Sequence, residues 1–191
     1  MRDALKPEIQ SERLILRAWR PSDAEALFAL FNNWEVVRWL SGPPWPYVID
    51  DARTYIDGAI QRSSEGAEES YAVTLHADVV GAIGVRLRPA SQLQRAAGPN
   101  FGYWIGQPYW GRGYMTEAVR ALARAVFGRG PHDAIFSGAF TDNVASLRVQ
   151  EKAGFVRDSD TMLHARPPGG RLSPHYYNTV LSRSRFEGLS S

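Results

Sequence analysis

Between Asn100 and Gly128 the chain reads NFGYWIGQPYWGRGYMTEAVRALARAVFG. An apolar, aromatic run ends at Gly106, a turn carries Gly111 and Gly113 one residue apart, and a helical pattern follows. This junction constrains the fold more than any other stretch, because it sets a strand, a tight turn and a helix in fixed succession. Glycine permits positive φ and close backbone approach. A helix start leaves several N–H groups without intrahelical partners, at the positive end of the helix dipole. Together these suit a diphosphate. Arg112, between the glycines, would add charge at the same corner. The plain alternative is a turn that only joins a strand to a helix, and spacing alone does not choose between them.

Other phosphate-binding turns fit poorly. A P-loop needs Gly-Lys-Ser/Thr at the helix start, whereas Gly113 is followed by Tyr114 and Met115. A dinucleotide fingerprint needs a third small residue where Thr116 stands. What remains is a turn that binds pyrophosphate through backbone amides alone.

The rest of the chain supplies elements around this junction. RLILRAW, Arg13 to Trp19, alternates as a half-buried strand does. Ala24, Leu27, Leu30 and Phe31 follow at helical spacing, with Ser22 or Asp23 available as a cap. A Trp- and Pro-rich loop then precedes a second helix at DDARTYIDGAIQRS. SYAVTLHADVVGAIGVRLRP reads as a hairpin with Ala77-Asp78 near its tip. The central helix, from about Met115 to Phe127, buries Ala118, Leu122 and Val126, with Gly128 as its C-cap. DAIFSGAF reads as a buried strand, and NVASLRVQEKAGF as a short helix stopped by Gly154. Phe155 to Leu163 and Tyr176 to Ser182 form a last pair of strands. Hairpins dominate, so the expectation is a mixed α/β domain with a mostly antiparallel sheet. Parallel pairing is expected only where the central helix crosses over. No repeat or interdomain linker is visible, so residues 1–191 read as a single domain.

Composition narrows the function. With no cysteine, a disulfide, a thiolate metal site and a cysteine nucleophile are excluded. A net charge of +2, with acidic and basic residues interleaved, does not suit a nucleic-acid binder. No apolar run is long enough to cross a bilayer, and a cytoplasmic location is the expectation.

GYWIGQPYWGRGYMTEAVRAL resembles the acyl-CoA-binding motif of the GNAT superfamily of N-acyltransferases. Its Tyr-Trp-Gly-x-Gly-Tyr form, followed by Thr-Glu-Ala, is similar to the branch with the ribosomal-protein N-terminal acetyltransferases of RimJ/RimL type. TDNVASLRVQEKAGFV resembles that branch's Asn-x-x-Ser segment and its Lys-x-Gly-Phe ending. SERLILRAWRPSDAEALFAL resembles its first strand and helix, so the likeness covers nearly the whole chain.

The resemblance implies the GNAT fold, a sheet of about seven strands splayed at an acyl-CoA cleft and flanked by about four helices. It implies acetyl-CoA as co-substrate and no metal. The cofactor residues it implies are Trp104, Ile105, Trp110, Gly111, Arg112, Gly113, Tyr114, Met115, Thr116, Asn143 and Ser146. Asn143 matches the residue that hydrogen-bonds the pantetheine arm, and Ser146 the residue near the thioester sulfur. Their plain alternatives are a helix cap and a solvent-facing serine. Trp34, Trp39, Trp45 and Tyr103 would wall the acceptor site, although Trp packing of a loop onto the core explains the tryptophans as well. Two departures stand out. Met115 is bulkier than the family's usual Gly or Ala, and Asn100 holds the place where the branch often carries Glu.

Acetyl transfer to an amine needs the amine neutral. An α-amine titrates at about 7.7–8.0 and a lysine amine at about 10.4, so a proton must be removed. Ser146 is the candidate donor to the leaving thiolate, and His164 is a candidate base. His175, Glu69 and a water relayed through Tyr103 are others. Glu117, in the first turn of a helix, reads as structural. Without a cysteine, direct attack in a ternary complex is the economical route. The acceptor is expected to be a protein N-terminus or a small amine such as an amino acid, polyamine or antibiotic. A non-catalytic acyl-CoA-binding module is the rival, with a ribosome-associated binding protein a weaker one. The expected state is monomer or homodimer, with no nucleic-acid or membrane partner.

Overall fold

The computed structural model describes residues 8–40, 42–86, 98–162 and 175–189. His164 and the Pro167 to Ser173 segment, both singled out in the sequence, lie outside them.

The chain opens with β1 (Glu8–Gln10), β2 (Leu14–Ala18), α1 (Ala24–Phe31), α2 (Trp34–Val37) and α3 (Ile49–Ser64). The hairpin β3 (Glu68–Leu75) and β4 (Asp78–Arg86) leads to β5 (Asn100–Ile105) and the long helix α4 (Tyr114–Arg129). Then come β6 (Ala134–Phe140), α5 (Val144–Ala153), β7 (Val156–Met162), β8 (His175–Ser182) and α6 (Arg183–Gly188). All eight strands join one sheet in the order β1-β2-β3-β4-β5-β6-β8-β7. Every neighbouring pair is antiparallel except β5 and β6.

Apolar alternation sends each strand's side chains to two helical layers. Leu14, Leu16, Val73, Ile83, Phe101, Ile135 and Leu181 face α4 and α5, meeting Met115, Val119, Leu122 and Ala153. The other face, with Ala72, Val79 and Ala82, meets Leu27, Phe31, Val37 and Ile56 from α1 to α3. Along β5 this alternation places Tyr103 and Ile105 on the α4 side and Trp104 on the α1–α3 side.

Four sequence expectations need correction. β1 and α6 were not anticipated, because three and six residues carry too little periodicity. α4 runs through Gly128 to Arg129, and Gly130 ends it in an extended conformation (φ −157°, ψ 171°). Pro131 follows, and a residue before proline is steered out of the α region. Asp23 is the N-cap residue of α1 but makes no side-chain cap bond to it. It accepts two hydrogen bonds from the Arg17 guanidinium at 2.8 Å and one from the Arg20 N–H at 2.9 Å. Finally, β6 is only partly buried, because one of its edges is open.

That open edge positions the site. β5 and β6 share one register pair, Asn100 with Phe136. Two further bonds hold this end together, from the Phe136 N–H to the Pro99 carbonyl (2.8 Å) and from Ser137 Oγ to the Phe101 carbonyl (3.2 Å). Beyond Phe101 the strands separate. The sheet is split toward the C-terminal ends of its two parallel strands.

Candidate active site

The glycine turn lies at the mouth of the split. A single 3-10 turn over Gln107–Tyr109 leads into Trp110 and the two glycines. Gly111 and Gly113 have φ of +74° and +79°, where a Cβ costs about 1–2 kcal/mol. Gly113 is the N-cap of α4, and no side chain caps the helix. The Glu117 N–H bonds the Gly113 carbonyl at 3.0 Å, so the amides of Tyr114, Met115 and Thr116 have no helical acceptor. A Cβ at Gly111 would meet nothing within 4 Å, and Arg112 is exposed beside it. Met115 is 3% exposed and packs into the core under α4. Its bulk therefore points into the core and away from the amides.

The turn is braced from below. Glu117 accepts hydrogen bonds from Ser11 Oγ (2.8 Å), the Arg13 N–H (2.7 Å) and Arg13 Nε (2.7 Å). Arg13 also donates to the Arg112 carbonyl (3.2 Å) and lies 4.6 Å over the Tyr114 ring. Burial alone would raise the Glu117 pKa, but these donors hold it below its ordinary value. The structural reading of Glu117 agrees with this. Arg13 was not singled out in the sequence, although a carboxylate in the first turn of α4 asks for a cationic partner.

Inside the split, a strand edge is left open. The Gly106 N–H donates to the Val80 carbonyl on β4 (2.9 Å). In a trans peptide the preceding carbonyl points the opposite way, so the Ile105 carbonyl faces the gap. Alternation along the strand turns the Tyr103 N–H and C=O there too, and β6 offers them no register partner. The indole N–H of Trp110 already donates to the Ile105 carbonyl at 2.8 Å, with its ring 41% exposed.

Across the gap stands the first turn of α5. The Tyr103 hydroxyl lies 2.9 Å from Ser146 Oγ and 3.1 Å from the Ser146 carbonyl. Burial pushes the Tyr103 phenol up to about 12, while hydrogen bonds with Ser146 and Gln150 pull the other way. Tyr103 therefore stays protonated at neutral pH. Asn143 caps α5, its Oδ1 accepting from the Ser146 N–H at 3.1 Å. The cap reading of Asn143 is correct, and the solvent-facing reading of Ser146 is not.

Trp104 belongs to the other face. Trp104 packs on Phe31 with ring centroids 4.6 Å apart, and Phe31 packs on Tyr47 at 4.9 Å. Trp34 and Trp45 pair at 5.3 Å, whereas Trp39 lies beneath the Arg38 guanidinium. Asn33, the cap of α2, donates to Gln107 Oε1 at 2.6 Å and ties this loop to the end of β5. Tyr103 does not join them, because it leaves β5 on the opposite face. Tyr103 thus lies across the sheet from α2, the helix that Trp34 begins. The Trp104 side chain, too, is turned away from Ser146, and its backbone groups face β4 opposite Ala82.

The other expected bases are spread out. Glu69 on β3 takes a hydrogen bond from Arg129, the last residue of α4. That helix has 16 residues, so it spans about 24 Å and sets Glu69 at the far end from the glycine turn. His175 is exposed at the start of β8, where its carbonyl accepts from the Thr141 N–H (3.1 Å). Asn100 is buried, and its Nδ2 donates to the Gly98 carbonyl at 2.9 Å. Hydroxyls and amides, rather than carboxylates, surround the Tyr103–Ser146 pair among the described residues.

Comparison with known proteins gives a consistent picture. Residues 13–156 match the family described as the acetyltransferase (GNAT) domain. An uncharacterized N-acetyltransferase, YoaA of Bacillus subtilis (strain 168), is 28% identical over 179 residues, covering 93% of this chain and 98% of YoaA. Among solved structures, RimL, a ribosomal L7/L12 alpha-N-protein acetyltransferase in complex with coenzyme A, superposes with a TM-score of 0.76 at 20% identity. That match covers 92% of this chain and 97% of RimL. The microcin C7 self immunity acetyltransferase MccE, in complex with acetyl-CoA and AMP, gives 0.77 at 17% identity, covering 94% and 98%. At these identities the two structures speak for the fold. No helix among the described residues is long and apolar enough to cross a membrane, and no cluster of His, Cys, Asp and Glu there is arranged to hold a metal.

Proposed function

Because the chain belongs to the GNAT acetyltransferase family, we propose that it moves an acetyl group from acetyl-CoA to a primary amine by direct attack in a ternary complex. Residues 1–191 act in this reading as one domain. The observation that carries it is the split between β5 and β6, with uncapped amides at its mouth and the Tyr103–Ser146 pair inside.

The donor's diphosphate lies against the amides from Gly111 to Thr116, with Arg112 adding charge. Its pantetheine arm runs along the open edge of β5, pairing amide to amide as an added strand does. Trp110 must release the Ile105 carbonyl or remain as the wall beside it. Asn143 is spoken for at Oδ1, so only its Nδ2 is available to the arm.

The acyl carbonyl then sits where an amine approaches from the Trp34–Trp45 side. Nitrogen bonds the carbonyl carbon, the carbon–sulfur bond breaks, and both its electrons stay on sulfur. A thiol titrates at about 8.5, against about 12 for Tyr103, so full transfer of a phenolic proton to the thiolate is uphill by roughly 5 kcal/mol. Ser146 accordingly stabilises the departing sulfur as a hydrogen-bond donor, with Tyr103 donating in turn to Ser146. The proton released by the amine reaches the sulfur through solvent.

The acceptor we favour is a protein N-terminal amine, which asks for less deprotonation than a lysine. A fold shared with RimL and MccE does not choose an acceptor by itself. Release of free thiol from acetyl-CoA, measured with N-terminal peptides and with small amines, tests both. Peptide-dependent release supports the reading, and small-amine-dependent release moves the acceptor class. Donor binding without release on any amine favours a non-catalytic acyl-CoA-binding module, in which Asn100 replaces the carboxylate for good.

A further inference from the structure

Gln150 is 1% exposed on α5, one turn after Ser146. Its carboxamide is held from three sides, and the polarity of each contact is determined. Gln150 Oε1 can only accept, so Thr179 Oγ1 at 2.6 Å must donate to it. The Gly138 carbonyl can only accept, so Gln150 Nε2 at 3.1 Å must donate to it. Flipping the amide would set two acceptors against each other at Gly138. The remaining Nε2 hydrogen is thereby aimed at the Ser146–Tyr103 pair, with Ser146 Oγ 3.4 Å away and Tyr103 its other hydrogen-bond partner.

This has a consequence for Ser146. Its oxygen takes a hydrogen from Gln150, so its own proton is turned away from α5. Two acceptors remain for that proton, Tyr103 Oη and whatever occupies the split. When Tyr103 donates to Ser146 Oγ or to the Ser146 carbonyl, the serine proton is free for the ligand.

We propose that Gln150 is a positioning residue that fixes the direction of the Ser146 hydroxyl, so that it donates toward the sulfur of a bound coenzyme A. The inference rests on the proposed acetyltransferase reading. Ser146 keeps its proton covalently bound throughout and lends the thiolate a hydrogen bond. Gln150 touches neither the donor nor the acceptor.

The test titrates the thiol of coenzyme A bound to the protein, followed by the ultraviolet absorbance of the thiolate. Wild type is compared with Gln150→Met, which keeps the volume, and Gln150→Glu, which keeps the shape but offers Ser146 an acceptor. The bound thiol should be more acidic in wild type than in Gln150→Met by about three- to tenfold, the worth of one net hydrogen bond. Gln150→Glu should leave it the least acidic of the three. Should Gln150→Met not fold, Thr179→Val against Thr179→Ser gives the same comparison, with only the serine variant keeping the wild-type value. Equal thiol acidity in all variants that bind coenzyme A overturns the positioning role and leaves the acetyltransferase reading intact. Absence of coenzyme A binding by folded wild type overturns that reading, and the inference with it.

Discussion

The Tyr103 hydroxyl and Ser146 Oγ, 43 residues apart in sequence, meet at 2.9 Å across the split between β5 and β6. One sits on a strand and the other in the first turn of a helix, so the pair closes the gap that the diverging strands leave. Removing the Ser146 hydroxyl takes away the donor to the departing sulfur, and removing the Tyr103 hydroxyl takes away the donor that leaves the serine proton free for it. Ser146→Ala and Tyr103→Phe should each lower kcat about tenfold, with little change in KM for acetyl-CoA. The double variant should cost less than the product of the two. Steady-state kinetics on the same amine check this, and additive losses would mean that the two act independently.

Glu117 contributes to stability through its charge. Its folded pKa is depressed by donors from Ser11 and Arg13, so its contribution is present above the unfolded value, about 4.3, and is lost as pH falls through the lower folded value. Glu117→Gln should be less stable at pH 7 by about 1–2 kcal/mol, since Arg13 is partly exposed. The difference should shrink as pH falls below the ordinary carboxylate range. Urea unfolding at neutral and acid pH measures both, and a pH-independent difference would remove the charge from the explanation.

Met115 should prove to be a core residue and not a ligand residue. With 3% exposure, Met115→Ala should cost about 2–4 kcal/mol of stability. Donor affinity, measured where the variant is folded, should stay within a few-fold of wild type. A large loss of affinity with normal stability would put the side chain in the site after all.

Trp34, paired with Trp45, begins α2, whose Val36 and Val37 pack on the face of the sheet opposite Tyr103, the side proposed for the acceptor. Trp34→Ala should raise KM for the acceptor amine several-fold, by about 1–2 kcal/mol of lost contact, and leave acetyl-CoA affinity unchanged. Kinetics with each substrate varied in turn separate the two effects. A change confined to the donor would place the tryptophans in the wrong half of the site.

The fold was largely legible because its signals are local. Strand alternation at Arg13 to Trp19, the glycine stop at Gly154 and the turn at Gly111 and Gly113 each depend on a few neighbouring residues. The hairpin was legible as well, although its tip falls at His76 and Ala77, both with positive φ, one residue before the expected Ala77-Asp78. What stayed hidden depends on residues far apart in the chain. Arg13 braces Glu117 across 104 positions, and Thr179 orients Gln150 across 29. The two faces of β5 were readable from its alternation, yet Tyr103 was grouped with the tryptophans because the helices that cover each face are assigned only by packing. Asp23 followed the same pattern, since a cap and a buried partner for Arg17 look identical in sequence. The edge strand β1 is three residues long, too short for any periodicity.

The central claim is that the left-handed glycines let backbone amides hold a diphosphate at the start of α4. Calorimetric titration with acetyl-CoA and with coenzyme A, on wild type and on Gly113→Trp, tests it most directly. Gly113 has φ of +79°, so a bulky side chain there both strains the turn and covers the amides; circular dichroism and thermal unfolding establish that the variant is folded. Micromolar binding of both ligands by wild type, weakened at least about a hundredfold in a folded Gly113→Trp, about 2.7 kcal/mol, is the result predicted. Equal binding by the two proteins, or none by folded wild type, would contradict it and leave Gly111 and Gly113 as a turn and no more.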